Sequence, residues 1–157
     1  MAEHLLTSQA RMEGPFQGFA GELFRRHSLL AGYAALALFL GLVCLLATLV
    51  DPRRIGDVSV WLKPAKFFIS ISVFVATTAW FFGYVRPERR RSWLAAGIVV
   101  VLLGAATFEL AWISWQGARG EASHFNFSTP LASRMYTLMG IAAVLLSGTT
   151  LALAWEI

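Results

Sequence analysis

The chain has 157 residues, of which 57% are hydrophobic and 14% are charged, and its net charge is +4. Soluble domains average about 45–50% apolar and about 25% charged residues. This composition excludes a typical soluble enzyme, a disordered chain and a soluble nucleic-acid-binding protein, and the length suits one folding unit. The expected partner of such a chain is the lipid bilayer.

Residues 1–28 are predicted to form a polar N-terminal segment that contains a short amphipathic helix. Pro15 suits the first position of a helix, because its missing N–H would be unpaired there in any case. Apolar side chains follow at the i, i+3, i+4 and i+7 spacing of one helix face: Phe16, Phe19, Ala20 and Leu23. This pattern is typical of a helix that lies on a membrane surface.

Residues 29–157 are predicted to form a four-span transmembrane bundle, with spans at about 29–50, 67–85, 93–115 and 135–155. Blocks of 19 to 23 residues can cross a hydrocarbon core of about 30 Å as helices, in which every backbone polar group is paired. The first block is longer than the apolar region of a signal peptide, so we expect a permanent span. Either the last span ends at the membrane interface, or the sequence is part of a longer protein. The predicted fold is an all-α membrane four-helix bundle preceded by a surface helix.

The distribution of basic residues favours a cytoplasmic N terminus. Seven arginines lie on the N-terminal side of the membrane, four of them in the short loop 86–92, and six lysines and arginines lie on the other side. Short loops rich in lysine and arginine are typical of the cytoplasmic side. The six basic residues outside suggest that some of them belong to a binding site.

Glu109 is the most informative residue, because it lies within the third predicted span. A charged group there costs about 2.5–3.5 kcal/mol, so its side chain should face protein or water and have a partner. Lys66, near the start of the second span, is the candidate partner; the alternative is that Lys63 and Lys66 only extend their charged ends to the membrane interface. Glu109 is then either a proton-carrying or ligand-binding carboxylate, or part of a structural ion pair or hydrogen bond between helices.

Three features converge on the extracytoplasmic face: the lysines before the second span, Glu109, and a loop predicted over residues 116–133. Together they give the predicted ligand-binding residues, Lys63, Lys66, Glu109, Gln116, Arg119, His124 and Asn126. One loop histidine cannot build a zinc site or a two-histidine haem site, and the lone Cys44 cannot build a disulfide, so no metal or particular cofactor is indicated.

The sequence W-L-K-P-A-K-F at 61–67, the glutamate at 109 and R-G-E-A-S-H-F-N at 119–126 form a joint pattern. It resembles an uncharacterised family of bacterial multi-pass inner-membrane proteins, over roughly residues 50–150. The resemblance implies a helical bundle in the inner membrane of the cell and implies no activity. Members of that family tend to carry further spans after the fourth.

Three functions remain open from the sequence. The first is the binding or transport of a small anionic or lipid-like ligand at the polar site. The second is an accessory or structural subunit that pairs with another membrane protein or with a second copy. The third is a membrane-embedded enzyme acting on a lipid or quinone, with Glu109 or His124 as acid or base. No residue is assigned a catalytic role, and we favour a protein that is not an enzyme.

Overall fold

The computed structural model describes residues 15–157, with side chains from residue 18 onward. Within this range the chain forms five helices and one small hairpin. The helices are α1 (Pro15–Arg26), α2 (Ser28–Val50), α3 (Leu62–Phe82), α4 (Trp93–Arg119) and α5 (Pro130–Glu156). The part of the predicted N-terminal segment before Pro15, and the side chain of Phe16, lie outside the described residues.

The helices α2 to α5 are each long and apolar enough to cross a membrane, and they form the predicted multi-pass bundle. Successive spans run in opposite directions, which gives the bundle two ends. We call the end with residues 83–92 the arginine end. The other end, with residues 51–61, the loop 120–129 and the adjoining helix turns, is the histidine end.

Three helices extend beyond the predicted spans at the histidine end. The helix α3 begins at Leu62 and α5 at Pro130, five residues before the predicted starts, while α4 continues to Arg119. Hydropathy marks only the lipid-facing part of a helix, whereas caps decide where its backbone begins and ends. The Thr129 hydroxyl caps α5 by accepting from Ala132 N–H, and a left-handed Gly120 ends α4. The loop predicted over 116–133 is therefore confined to residues 120–129.

Close packing joins α2 to α3. A Cβ atom on Gly41 would lie 3.0 Å from Ile69 Cγ1 and 3.1 Å from Phe68 Cβ, so a larger residue would push these side chains outward by a few tenths of an ångström. The hydroxyl of Ser72 donates a 2.7 Å hydrogen bond across the interface to the Ala34 carbonyl. Close packing at small residues and hydrogen bonds between helices hold a bundle together in lipid, because lipid supplies no hydrophobic driving force for burying apolar side chains.

The predicted surface helix, α1, docks on the arginine end of the bundle. Leu23 is buried, and the Phe19 ring stacks on Trp80 at 5.3 Å between centroids. Arg26 donates 2.8 Å from Nη1 to the Trp80 carbonyl, with its guanidinium 4.1 Å from the Trp80 ring and 4.9 Å from the Tyr84 ring. The helix thus contacts the bundle through both apolar and charged side chains.

Candidate functional site

Lys63 and His124 meet at the histidine end. Lys63 lies in the first turn of α3 and His124 in the loop 120–129, and Lys63 Nζ is 2.9 Å from His124 Nδ1. The Ser123 hydroxyl is 3.1 Å from the same nitrogen. An ammonium group has only donors, so Nδ1 accepts and the imidazole is the neutral tautomer protonated at Nε2. Burial first, and the Lys63 charge second, lower the pKa of His124.

The loop 120–129 is organised around Tyr136 of α5. Ring centroids of His124, Phe125 and Phe127 lie 6.3, 5.1 and 5.5 Å from the Tyr136 ring. Phe125 has a backbone φ of 53°, a conformation that residues other than glycine adopt only at an energetic cost. The aromatic contacts with Tyr136 stabilise this strained backbone.

A cleft of about 860 Å³ opens between the C-terminal end of α4 and the loop. One wall is a strip of α4 with the i, i+3, i+4 and i+7 spacing of a single helix face: Trp112, Trp115, Gln116 and Arg119. The opposite wall carries Asn126 and the aromatic rings of Phe125 and Phe127. Both walls of the cleft therefore combine aromatic and polar side chains.

Hydrogen bonds fix the polar side chains of the cleft. Gln116 Nε2 donates to Glu121 Oε2 and to the Ala122 carbonyl, both at 3.3 Å, and Asn126 Nδ2 donates to the same carbonyl at 3.1 Å. Arg119 donates to Glu121 Oε1 at 2.8 Å, and this side-chain bond is the main reason why the pKa of Glu121 is lowered. Nη1 of Arg119 makes no hydrogen bond within residues 15–157, which leaves a charged donor for a ligand.

Local bonds hold the rest of the loop. Trp112 Nε1 donates 3.2 Å to the Ser123 carbonyl, which ties the loop to α4. Asn126 Oδ1 accepts from both the backbone N–H and the hydroxyl of Ser128, at 3.1 and 2.6 Å. This turn directs the chain towards Thr129 and the start of α5. The predicted site residues on this loop are thus held in fixed positions.

A second cavity, of about 200 Å³, lies on the other side of the loop and is lined by Lys63 and Ser123. Its wall includes the contact between α4 and the start of α3. There, a Cβ atom on Gly117 would lie 3.0 Å from both the Val60 carbonyl oxygen and Pro64 Cγ. The small Gly117 therefore sets the distance between the helices that carry Lys63 and Gln116.

A small hairpin, not predicted from the sequence, closes this cavity. Its strands are β1 (Arg54–Ile55) and β2 (Val58–Ser59), paired in antiparallel register around Gly56, whose φ is 60°. The signal that could have identified it is the Gly-Asp pair between two β-branched residues. The hairpin closes the cavity that contains Lys63.

Charged residues anchor the chain before the hairpin. Arg53 forms a 2.7 Å ion pair with Asp51 and donates 2.8 Å to the Ala118 carbonyl at the end of α4. Trp61 Nε1 also donates to Asp51, at 2.7 Å. The bonds from Arg53, chiefly that from its side chain, hold the pKa of Asp51 far below its usual range. This network joins the ends of α2, α3 and α4.

The predicted ion pair between Lys66 and Glu109 is not formed. Lys66 is exposed on the first turns of α3, and within residues 15–157 its side chain makes no hydrogen bond or ion pair. Glu109 is 5% exposed on the face of α4 that also carries Ala106 and Ile113, and it has no partner of either kind among those residues. The prediction failed because the positions of Lys66 and Glu109 in the sequence place both near the same side of the membrane but do not specify which helix faces meet.

Five of the seven predicted site residues fall into two groups. Gln116, Arg119 and Asn126 line the cleft, while Lys63 and His124 form a pair on another side of the same loop. Glu109 and Lys66 contact neither group through a hydrogen bond or ion pair within the described range. Sequence reasoning missed several residues of the cleft and loop: Trp112, Trp115, Glu121 and Tyr136. Trp112 and Trp115 could have been identified from their helical spacing with Gln116 and Arg119.

No group of three or more His, Cys, Asp or Glu residues within the described part of the chain is arranged to hold a metal ion. Comparison with protein-family models, with curated proteins and with solved structures finds no match for this chain. Its chemistry is therefore argued from the geometry of its own residues.

Proposed function

We propose that the protein binds or transports a small anionic or lipid-like ligand, and that the ligand is an amphiphile with an anionic head group. The observation that carries this proposal is the mixed polar and aromatic lining of the 860 Å³ cleft. Arg119 and Asn126 each keep an N–H donor for a head group, and the exposed Trp115 and Phe127 offer apolar surface to its chain. Ligand sites generally combine apolar walls with a few fixed polar groups.

The charge at the histidine end supports an anionic ligand. Two of the three acidic residues there are already paired, Asp51 with Arg53 and Glu121 with Arg119. The end carries six basic residues: Arg53, Arg54, Lys63, Lys66, Arg119 and Arg134. This excess attracts anions to the cleft, in which a guanidinium group can bind phosphate or carboxylate oxygens.

An apolar groove on the same two helices supports a ligand with a hydrocarbon chain. It has a volume of about 360 Å³ and runs between α4 and α5, nearer the middle of the bundle. Gly104 and Phe108 line it on α4, and Leu138 and Ile141 on α5. A chain attached to a head group in the cleft could extend along this seam towards the groove.

The proposal places the histidine end on the extracytoplasmic face of a bacterial inner membrane. The dense loop 86–92 at the arginine end supports this orientation, because such loops are retained in the cytoplasm. Labelling a cysteine introduced at Ser128 with a membrane-impermeant thiol reagent in whole cells tests it. Labelling only after permeabilisation would contradict the orientation.

The binding proposal is tested by native mass spectrometry of the purified protein with phosphatidylglycerol and phosphatidylcholine of identical chains. We expect phosphatidylglycerol to bind preferentially, and Arg119→Gln to reduce that preference about tenfold, since a hydrogen bond to a charged group contributes about 1.5–3 kcal/mol. Trp115→Ala should weaken the binding of both lipids, because an aromatic side chain contacts the hydrocarbon chain and not the charge.

Arg134→Gln is the matched control, since Arg134 is exposed at the same end but does not line the cleft. Competition by glycerol phosphate alone distinguishes a small anion from a lipid, because it displaces the lipid only if the head group carries most of the affinity. An unchanged preference in Arg119→Gln, or an equal loss in Arg134→Gln, would overturn the proposal.

A further inference from the structure

Two donors compete for one acceptor beside the cavity of about 200 Å³ that Lys63 and Ser123 line. Nδ1 of His124 is 2.9 Å from Lys63 Nζ and 3.1 Å from Ser123 Oγ. A neutral imidazole offers one acceptor nitrogen, which accepts fully from only one of the two donors. The charged ammonium group is the closer and the stronger donor. The hydrogen of the Ser123 hydroxyl is therefore left for another acceptor.

Lys63 also keeps unused donors. An ammonium group has three N–H bonds, and the one acceptor that Nζ has among the described residues is His124 Nδ1. No carboxylate of those residues lies within 4 Å of Nζ. The Phe67 ring is 6.0 Å away, at the outer limit of a cation–π contact. The half-buried charge of Lys63 thus lacks an anion.

The other polar side chains of the lining are already bonded elsewhere. Ser59 Oγ accepts from the backbone N–H of Trp61. The two carboxylate oxygens of Glu121 accept from Arg119 and from Gln116, and the ion pair with Arg119 balances the charge. The acceptors that the two unused donors lack would therefore come from a ligand.

We propose that this cavity binds a short-chain monocarboxylate. The two oxygens of one carboxylate match the two donors, the ammonium group of Lys63 and the hydroxyl group of Ser123. The rest of the wall is largely apolar, with the side chains of Ile55, Val58, Val60, Pro64 and Ile113. A phosphate or sulfate ion would leave further oxygens against this wall without donors, which costs free energy. A short hydrocarbon chain gains free energy from the same contact.

The size and position of the cavity suit a small, water-soluble ligand. Its 200 Å³ equal the liquid volume of about seven water molecules, which is too little for the chains of a phospholipid. Ile55 and Val58 of the hairpin line the cavity and are nevertheless 37% and 48% exposed. This wall therefore separates the cavity from the surroundings of the histidine end by a single layer of side chains. A carboxylate of about four carbons fits this space.

The test is isothermal titration calorimetry of sodium butyrate with the full chain in a non-ionic detergent at pH 7.5. We expect one butyrate per chain, and an affinity about tenfold lower for butyramide, which has the same shape without the charge. Lys63→Met and Ser123→Ala should each lower the butyrate affinity about tenfold, the loss expected for one hydrogen bond to a charged group. Lys66→Met is the matched control, because Lys66 is exposed on the same helix and does not line the cavity.

Ser123→Ala keeps the bond between Lys63 and His124, so it remains informative if Lys63→Met fails to fold. Wild-type butyrate affinity in either variant, or an equal loss in Lys66→Met, would overturn the proposal. Binding of inorganic phosphate as tightly as butyrate would overturn it in favour of an inorganic oxyanion. Neither Lys63 nor Ser123 lines the cleft, so failure of butyrate to bind would overturn this proposal alone and would not bear on the lipid preference of the cleft.

Discussion

The ammonium group of Lys63 lies 2.9 Å from Nδ1 of His124, and no carboxylate among the described residues lies within 4 Å of Lys63. A cation beside an imidazole disfavours a second positive charge. The pair is therefore compatible with neutral His124 and incompatible with protonated His124, so the histidine end is sensitive to pH.

The first prediction concerns acid stability. Burial and Lys63 lower the pKa of His124 below its ordinary value of about 6.5. The unfolded chain therefore binds a proton more readily than the folded one as the pH falls below that value. The stability that neutral His124 contributes is complete above about pH 6.5 and is lost as the pH falls through the folded pKa.

Thermal unfolding between pH 7.5 and 4.5 measures this effect. His124→Asn keeps an acceptor near Nδ1 but does not titrate, so its stability should decline less steeply with falling pH. Burial also lowers the pKa of His27, which remains in both proteins and accounts for a residual decline. Identical pH profiles for the two proteins would contradict the prediction.

The second prediction concerns the contact between α3 and α4. In Gly117→Ala the added methyl group would lie 3.0 Å from the Val60 carbonyl oxygen. Because a backbone atom cannot move aside as a side chain can, we expect a loss of about 1–3 kcal/mol in unfolding free energy. Gly148→Ala is the control, because nothing lies within 4 Å of its added methyl. The control should retain wild-type stability. Denaturation in mixed detergent micelles measures both, and equal stability of the two variants would argue against close packing at Gly117.

The sequence predicts most of the fold, and it places several residues of the candidate site at one end of the bundle without showing which of them meet. Apolar blocks must be helices in a bilayer, so composition identifies the spans and alternation of direction brings Lys63 near the loop of His124. The faces of helices that meet depend on packing between side chains, which hydropathy does not encode. Helical spacing within α4 is enough to place Gln116 and Arg119 close together, whereas the Lys66–Glu109 pair requires two helix faces to meet, and that prediction is wrong.

The third prediction concerns Glu109. Since its buried carboxyl group has no partner among the described residues, Glu109→Gln retains the shape of the side chain without a charge. Its unfolding free energy should stay within about 1 kcal/mol of the wild type or exceed it. Glu109→Lys should lose about 3 kcal/mol, because an ammonium group is costly within a span. Glu121→Gln removes the charge of the exposed pair with Arg119 and keeps an amide oxygen that can accept from Gln116, so this control should lose at most about 1 kcal/mol. A loss above 2 kcal/mol in Glu109→Gln would indicate an essential ionic partner.

The fourth prediction concerns the docking of α1. Arg25 and Arg26 both pair with Glu22, but Arg25 is 74% exposed whereas Arg26 is 16% exposed and also donates to the Trp80 carbonyl. Lysine keeps the charge and loses the planar group that binds the carbonyl and stacks on the ring. Arg26→Lys should therefore weaken docking by about 1–2 kcal/mol.

Hydrogen–deuterium exchange of residues 18–26 measures the docking of α1. Exchange should rise several-fold in Arg26→Lys and stay at the wild-type rate in Arg25→Lys, because Arg25 contacts only Glu22 within its own helix. Bonds from Arg25 first and Arg26 second lower the pKa of Glu22 to about 2, so the ion pairs, and with them the difference between the variants, should persist down to pH 4. Equal exchange in the two variants would show that the apolar contacts of Leu23 and Phe19 are sufficient to dock α1.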